Sequence, residues 1–196
     1  MSTPSSGLAT GAAVAGLDGY LAQVQAEVSD GPPGLAIVGL PDTTVRETRD
    51  RVYAAVTNSG EAWPARAITA TVQPDWLSRH VTGTDLAIAV AVLTAAGAVP
   101  PGAAAGCVFL AELGLDGSLR PVRGIAPALH AAARAGCTRA VVAVPNSAEA
   151  VMVPGLAVVS CPSLRGVLAW LRGQPLSEET TTPATSAPAQ PAGAGR

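Results

Sequence analysis

The chain contains no lysine, and all twelve of its cationic side chains are arginine. This absence excludes a Schiff-base lysine, a Ser–Lys catalytic dyad and a GxxxxGK[ST] phosphate-binding loop, because each of these needs a lysine ammonium group. Aromatic residues are also scarce, with one Phe, two Tyr and three Trp among 196 residues. The core must therefore be built from small aliphatic side chains.

Residues that could ligate a metal are few. The three cysteines, Cys107, Cys137 and Cys161, form no CxxC pair, and His80 and His130 are isolated. Structural zinc sites need closely spaced ligands, so we predict no metal site. The thiols are expected to be small buried hydrophobic groups in a reducing cytosol.

The chain also lacks an excess of positive charge, a signal peptide and a membrane span. Its formal net charge is −2, which gives no global field to attract nucleic acid. The N-terminal stretch "MSTPSSGLATGAAVAG" has no positive segment before an apolar one. The longest uncharged apolar run, residues 86–108, is interrupted by Gly and Pro. We therefore expect a cytoplasmic protein with no membrane partner.

The composition divides the chain into three parts. Residues 173–196 are rich in Pro, Thr, Ser and Ala without apolar periodicity, which predicts a disordered linker or tail. An ordinary frayed C-terminus is the alternative. Residues 1–6 are predicted to be disordered too, and residues 7–172 form the folded domain.

The strand pattern predicts an α+β or mixed α/β fold. Asp18-Gly19 and Asp116-Gly117 are two-residue hairpin signals between apolar runs. The segment 34–40 is predicted to be a short buried strand, and 66–74 alternates as a strand does. Later strands alternate with helices, so N-terminal hairpins are followed by β–α units.

Five helices have clear signals. A helix near 42–60 has a capping box of Thr44 and Glu47 and a stop at Gly60. Residues 84–97 are apolar almost all round, which predicts a helix buried on most sides. Another helix follows Gly124, a short one follows Asn146 as N-cap, and the last helix begins near residue 163.

The hairpin and helix at 115–136 are the first place to look for catalysis. Ser118 and Thr138 supply hydroxyls and His130 the only nearby base, but no acidic group stands at a spacing that would orient it. A structural hairpin packed on an Ala-rich helix is the favoured interpretation. Arg120 and Arg123 on one arm could contact an anion or could simply protect a strand edge.

Four segments, in order, resemble the N-terminal region of the YifB/ComM family of magnesium-chelatase-like AAA+ proteins. They are "IVGLPDTTVRETRDRVYAAVTNSG", "WPARAITATVQPDWL", "GTDLAIAVAVLTAAG" and "FLAELGLDGSLRPVRGIAPALHAAARAG". The resemblance implies a Lon-protease-like domain with the ribosomal protein S5 domain 2-like fold. It also implies an attached P-loop ATPase module that drives branch migration of DNA as a hexamer.

The same resemblance locates the catalytic positions of active Lon-like proteases. The serine position corresponds approximately to Gly83 and the lysine position to Ala128. Because the chain has no lysine, we expect no catalysis by this domain, no small-molecule substrate and no bound cofactor. ATP and Mg²⁺ are implied only for a C-terminal module outside this chain.

The expected function is therefore ring assembly and DNA guiding for a motor. The expected partners are further copies of the chain, as a hexamer if the ATPase module is attached, and DNA. The candidate DNA or subunit contacts are Arg46, Arg49, Arg79, Arg120 and Arg123. The alternatives are a stand-alone scaffold or partner-binding remnant and, last, a hydrolase with an unrecognised site.

Overall fold

The computed structural model describes residues 5–74 and 83–175. Its main sheet contains β1 (Ser5–Ala15), β2 (Asp18–Ser29), β3 (Gly34–Val38), β4 (Ala67–Gln73), β5 (Cys107–Leu110), β8 (Arg139–Ala143) and β9 (Ala157–Cys161). A separate small hairpin contains β6 (Glu112–Leu113) and β7 (Leu119–Arg120). The helices are α1 (Asp42–Asn58), α2 (Asp85–Ala95), α3 (Ile125–Arg134), α4 (Ser147–Ala150) and α5 (Leu164–Leu171).

The seven strands lie in the order β3-β4-β2-β1-β5-β8-β9. The pairs β1–β2 and β2–β4 are antiparallel, and the other neighbours in the sheet are parallel. The mixed α/β class is therefore confirmed, with an N-terminal hairpin followed by strands that alternate with helices. β1 begins at Ser5, two residues before the predicted start of the folded domain at residue 7.

The first hairpin turns two residues earlier than predicted. Ala15 pairs with Asp18, so Gly16 and Leu17 form the turn. Gly16 has φ +64°, which a glycine adopts without strain, and Leu17 is 93% exposed. Asp18-Gly19 is instead the start of β2.

β3 is an edge strand, so the prediction of a fully buried strand at 34–40 is wrong. Leu35 and Ile37 are buried beneath helix α1, whereas Ala36 and Val38 are exposed on the other face. An edge strand with one covered face alternates in this way because successive side chains point to opposite sides of the sheet.

Helix α1 begins at Asp42, earlier than its predicted capping box. Thr44 lies inside α1, and its hydroxyl donates to the carbonyl oxygen of Pro41 at 2.9 Å. Thr44 is therefore not the N-cap that the capping box requires. The predicted stop is confirmed, since Ser59 is the C-cap and Gly60 follows with φ +86°. Val52 and Val56 are fully buried, and Val45 packs against the same core.

The two faces of the sheet are covered differently. In β5, Cys107 and Phe109 point to the side of α1, α2 and α5, while Val108 and Leu110 point to α3 and α4. Ten of the eleven α2 side chains are buried, as its all-apolar sequence predicts. On the α3 side, the strands β2 and β4 expose polar side chains, namely Gln23, Gln25, Glu27, Thr69 and Gln73.

Candidate functional site

Gly83 lies immediately before helix α2, in a position that a side chain would not fit. Its φ is +87°, a conformation that favours glycine. A Cβ built there would lie 2.6 Å from Cγ1 of Val122, in the loop that precedes α3. The space next to Gly83 is therefore filled by a valine side chain.

Ala128 lies in the second turn of α3 and faces the sheet. It is 2% exposed and packs in a cluster with Ile125 and Leu129. Strand β2 approaches α3 so closely that a Cβ on Gly19 would lie 2.1 Å from the carbonyl oxygen of Pro127. The position is therefore part of a packed helix–sheet contact, where a long side chain would displace the helix.

The β6–β7 hairpin joins the ends of two helices. Nδ2 of Asn58, at the end of α1, donates to the carbonyl oxygen of Leu115 at 2.7 Å. On the other side, the N–H of Leu164, at the start of α5, donates to the carbonyl oxygen of Gly117 at 2.8 Å. The location of the turn at Asp116-Gly117 is confirmed, but the loop is longer than the predicted two residues, because the strands pair at Leu113 and Leu119. Ser118 donates both its N–H and its hydroxyl to the Asp116 carboxylate. The hydroxyl bond lowers the pKa of Asp116.

The segment between this hairpin and α3 is held by two side chains from beyond β8. The side-chain amide of Asn146 accepts from the N–H of Val122 and donates to its carbonyl oxygen, each at 3.0 Å. The Glu149 carboxylate accepts from the N–H of Ala126 at 3.0 Å, in the first turn of α3. Asn146 is the N-cap residue of α4, as predicted, but its side chain makes no cap bond to that helix.

The predicted arginine contacts fall into two groups. Arg46 and Arg49 lie on the exposed face of α1, where Nε of Arg49 is 3.7 Å from Oδ1 of Asp50. Arg120 and Arg123 are exposed near the β6–β7 hairpin. Arg79 lies outside the described residues.

Arg120 extends toward α1, whereas Arg123 does not. With Leu113, Leu115 and three charged residues of α1, Arg120 lines a cleft of about 320 Å³. Arg123 stands in the segment that Asn146 and Glu149 hold, and no ion pair to it is present within residues 5–74 and 83–175. Arg123 therefore projects an uncompensated charge from a well-supported backbone.

An ion pair between the partly buried Arg51 and the buried Asp85 was not predicted. The Asp85 carboxylate, 4% exposed, accepts from Nε of Arg51 at 2.7 Å and from its Nη2 at 3.3 Å. It also accepts from the N–H of Leu113 at 3.3 Å, and the hydrogen bond to Asp85 raises the pKa of Arg51. Nη1 of Arg51 also lies 3.7 Å from Oε2 of Glu47, its i,i+4 neighbour on α1.

The described part of the chain contains no group of His, Cys, Asp and Glu able to hold a metal ion. Cys107 and Cys161 are buried, and Cys137 is partly exposed. Burial raises the pKa of Cys107 to about 12 and also raises that of Cys137. Among residues 5–74 and 83–175, no helix has the length and apolar character needed to cross a membrane.

Comparison with known proteins places this architecture in a family. Residues 24–146 match the family described as subunit ChlI of Mg-chelatase. The chain belongs to this family. It is also similar to the competence protein ComM of Haemophilus influenzae (34% identity over 84% of the chain) and to YifB of Escherichia coli (36% over 77%). The predicted membership of the magnesium-chelatase-like YifB/ComM family is thereby confirmed.

An uncharacterized protein of Mycobacterium tuberculosis is 40% identical over 92% of the chain. The aligned region amounts to 37% of that protein, 30% of YifB and 33% of ComM. This ChlI-family chain therefore spans about a third of the length of the curated relatives it matches.

Proposed function

We propose that this chain is a non-catalytic, Lon-like region of a magnesium-chelatase-like protein. It supports assembly of a ring and guides DNA toward an ATP-driven motor. In its relatives, the remaining two-thirds of the protein would supply such a motor. The S5 domain 2-like and Lon-like fold is part of this proposal. Family membership and the packing at Gly83 and Ala128 support it.

The single observation that carries the non-catalytic part is how the two protease positions are filled. Val122 occupies the space a serine side chain at Gly83 would need. Ala128 is enclosed between α3 and the sheet, and the chain supplies no lysine. A hydroxyl without a base to deprotonate it does not become a nucleophile. We therefore assign the β6–β7 hairpin and helix α3 a structural role in packing.

The guiding part depends on the arginines near the hairpin. On α1, the positive charge of Arg49 lies beside Asp50, and that of Arg51 beside Glu47 and Asp85. Arg123 has no such partner within the described residues, and its backbone is fixed on both sides. Uncompensated arginines on a fixed backbone suit contact with phosphate groups. In a ring, several copies would place these charges on one surface.

Incubation of the purified chain with casein tests the non-catalytic part. We expect no cleavage above that of a buffer control. We also expect no heat of ATP binding in a calorimetric titration, because the chain has no P-loop. Proteolysis that follows the protein peak through chromatography would overturn the proposal.

The DNA part is tested by fluorescence anisotropy with a labelled duplex at several salt concentrations. We expect weak binding at low salt that falls steeply as salt rises, since released counterions drive phosphate contact. Arg123→Ala should reduce the salt slope by about one, and Arg49→Ala should change it less. No change in anisotropy at low salt would remove DNA guiding while leaving the assembly role to be tested by sedimentation.

A further inference from the structure

The outer edge of β3 has backbone groups free to pair. Among residues 5–74 and 83–175, β4 is the only strand beside β3, and the N–H of Gly34 donates toward it, to the carbonyl oxygen of Arg66 at 3.4 Å. In a parallel pair, the backbone groups of successive residues point alternately toward and away from the neighbour. Those of Leu35 and Ile37 therefore point outward. Within the described residues, no bond to these four groups from outside the sheet is present.

A groove runs beside this edge, between β3 and helix α1. Its volume is about 340 Å³, and its walls include Leu35 of the strand, Tyr53 and Arg49 of the helix, and Trp63 of the loop before β4. The rings of Tyr53 and Trp63 meet edge to face with centroids 5.1 Å apart. Tyr53 is 50% exposed. An apolar, aromatic wall therefore lies next to free backbone groups.

The charges around the groove cancel locally. Arg49 lies beside Asp50, with Nε and Oδ1 3.7 Å apart. Near the start of β3, Nη2 of Arg66 lies 2.8 Å from Oδ1 of Asp30. Because Arg49 and Arg66 each lie beside a carboxylate, the lining of the groove carries no net charge and is complementary to an uncharged occupant.

We propose that the edge of β3 and this groove bind an extended, uncharged peptide segment of a partner protein. The peptide backbone pairs with the outward groups of Leu35 and Ile37, as an added strand does at a sheet edge. One aromatic or large aliphatic side chain of the peptide enters the groove against Tyr53 and Trp63. Because this site uses neither Arg120 nor Arg123, it is separate from the hairpin arginines on which the proposed DNA guiding depends.

The experiment selects random octapeptides displayed on phage against the immobilised 196-residue chain. We expect enriched peptides to share an aromatic or large aliphatic residue within an uncharged stretch. Synthesised with fluorescein, they should bind the Tyr53→Ala variant at least about tenfold more weakly, a typical loss for an aromatic anchor. Tyr53→Phe, which keeps the ring, should bind within about twofold of the unchanged chain. His130→Ala is the matched control, since its exposed side chain lies on α3.

A second readout tests the backbone pairing. Two forms of the peptide are N-methylated, one at the even and one at the odd amides, and only the form methylated at the amides that face β3 should lose binding. The amide NMR signals of Leu35 and Ile37 should shift on peptide addition. The proposal fails if no peptide distinguishes the chain from Tyr53→Ala, or if both N-methylated forms bind as well as the parent. Shifts of those signals with protein concentration alone would assign the edge to a second copy, and would also overturn it.

Discussion

The two faces of the central sheet differ in how completely they are covered. On one face, α2 is enclosed by the sheet and α1, and α5 extends the same core, so almost none of its surface reaches solvent. On the other face, α3 and α4 cover β5, β8 and β9 but leave much of β2, β4 and β3 bare. The covered face therefore holds the larger part of the core, whereas the half-covered face presents polar side chains of β2 and β4 to solvent.

The largest expected effect is on the enclosed face. Val90→Asp should prevent cooperative folding, because an unpaired carboxylate among fully buried neighbours costs more than about 4 kcal/mol. Circular dichroism during thermal unfolding would show no transition. Gln25→Asp places the same carboxylate on the exposed face, where it loses a hydrogen bond to Glu27, and should cost at most about 1 kcal/mol. A folded Val90→Asp protein would contradict the enclosure of α2.

The next effect concerns the buried ion pair that fixes α1 to α2. Asp85→Ala leaves the Arg51 guanidinium and the Leu113 N–H without their acceptor. We expect a loss of about 2 to 3 kcal/mol in urea unfolding, below the range for a fully buried pair because Arg51 is 28% exposed. Asp50→Ala removes an exposed carboxylate from the same helix and should cost less than about 0.5 kcal/mol. Equal losses of unfolding free energy in the two variants would show that the Asp85–Arg51 pair contributes no more than an exposed carboxylate does.

The contact of α3 with the sheet is tested at Gly19. Gly19→Ala would place a methyl group 2.1 Å from the carbonyl oxygen of Pro127, so α3 must shift outward. We expect a loss of about 1 to 3 kcal/mol, as for other overpacked sites. Gly34→Ala, in β3, meets no atom within 4 Å and serves as the control. If both variants unfold at the same urea concentration, the close approach of β2 and α3 is not present in solution.

The smallest effect distinguishes the cysteines. At pH 8, a disulfide reagent should modify Cys137 in the folded chain, whereas Cys107 should react only after unfolding. Burial raises the pKa of Cys107 from 9.0 to about 12, so the folded state holds this proton more tightly than the unfolded chain. The contribution of this pKa difference to the free energy of unfolding is fully present below pH 9 and is lost as the pH rises toward 12.

The alkaline loss is measured by urea unfolding at pH 9 and pH 10. The loss due to Cys107 is at most about 1.4 kcal/mol for one pH unit. Cys107→Ala should show a shallower decline than the unchanged chain. A decline equal to that of the unchanged chain would mean that this thiol titrates normally in the folded state.

Features determined by neighbouring residues could be predicted from the sequence. The all-apolar run of α2 and the turn at Asp116-Gly117 were identified correctly because each depends on local composition. The start of α1 at Asp42 was also predicted correctly, but its cap was not, since Thr44 and Glu47 match a capping box although Pro41 is the N-cap. Local patterns of this kind are ambiguous over two or three residues.

Contacts between distant residues could not be predicted. Asp85 and Arg51 are 34 positions apart, and nothing near either residue indicates the pairing. Asn146 has the residue type of a helix cap, but an amide that both donates and accepts also suits the backbone of Val122. At the candidate site, the sequence shows that positions 83 and 128 carry neither serine nor lysine. It does not show that Val122 fills the space beside Gly83, because that depends on tertiary packing.

The junction of the β6–β7 hairpin also bears on the order of folding. Asn58 and Leu115 are 57 positions apart, and the bond from Leu164 to Gly117 joins the hairpin to the last helix. Such contacts carry a loop-closure entropy that grows with chain separation. During synthesis from the N-terminus, the β1–β2 hairpin is complete long before residue 164 emerges from the ribosome. We therefore expect the β6–β7 hairpin to gain its hydrogen-exchange protection among the last elements of a nascent chain.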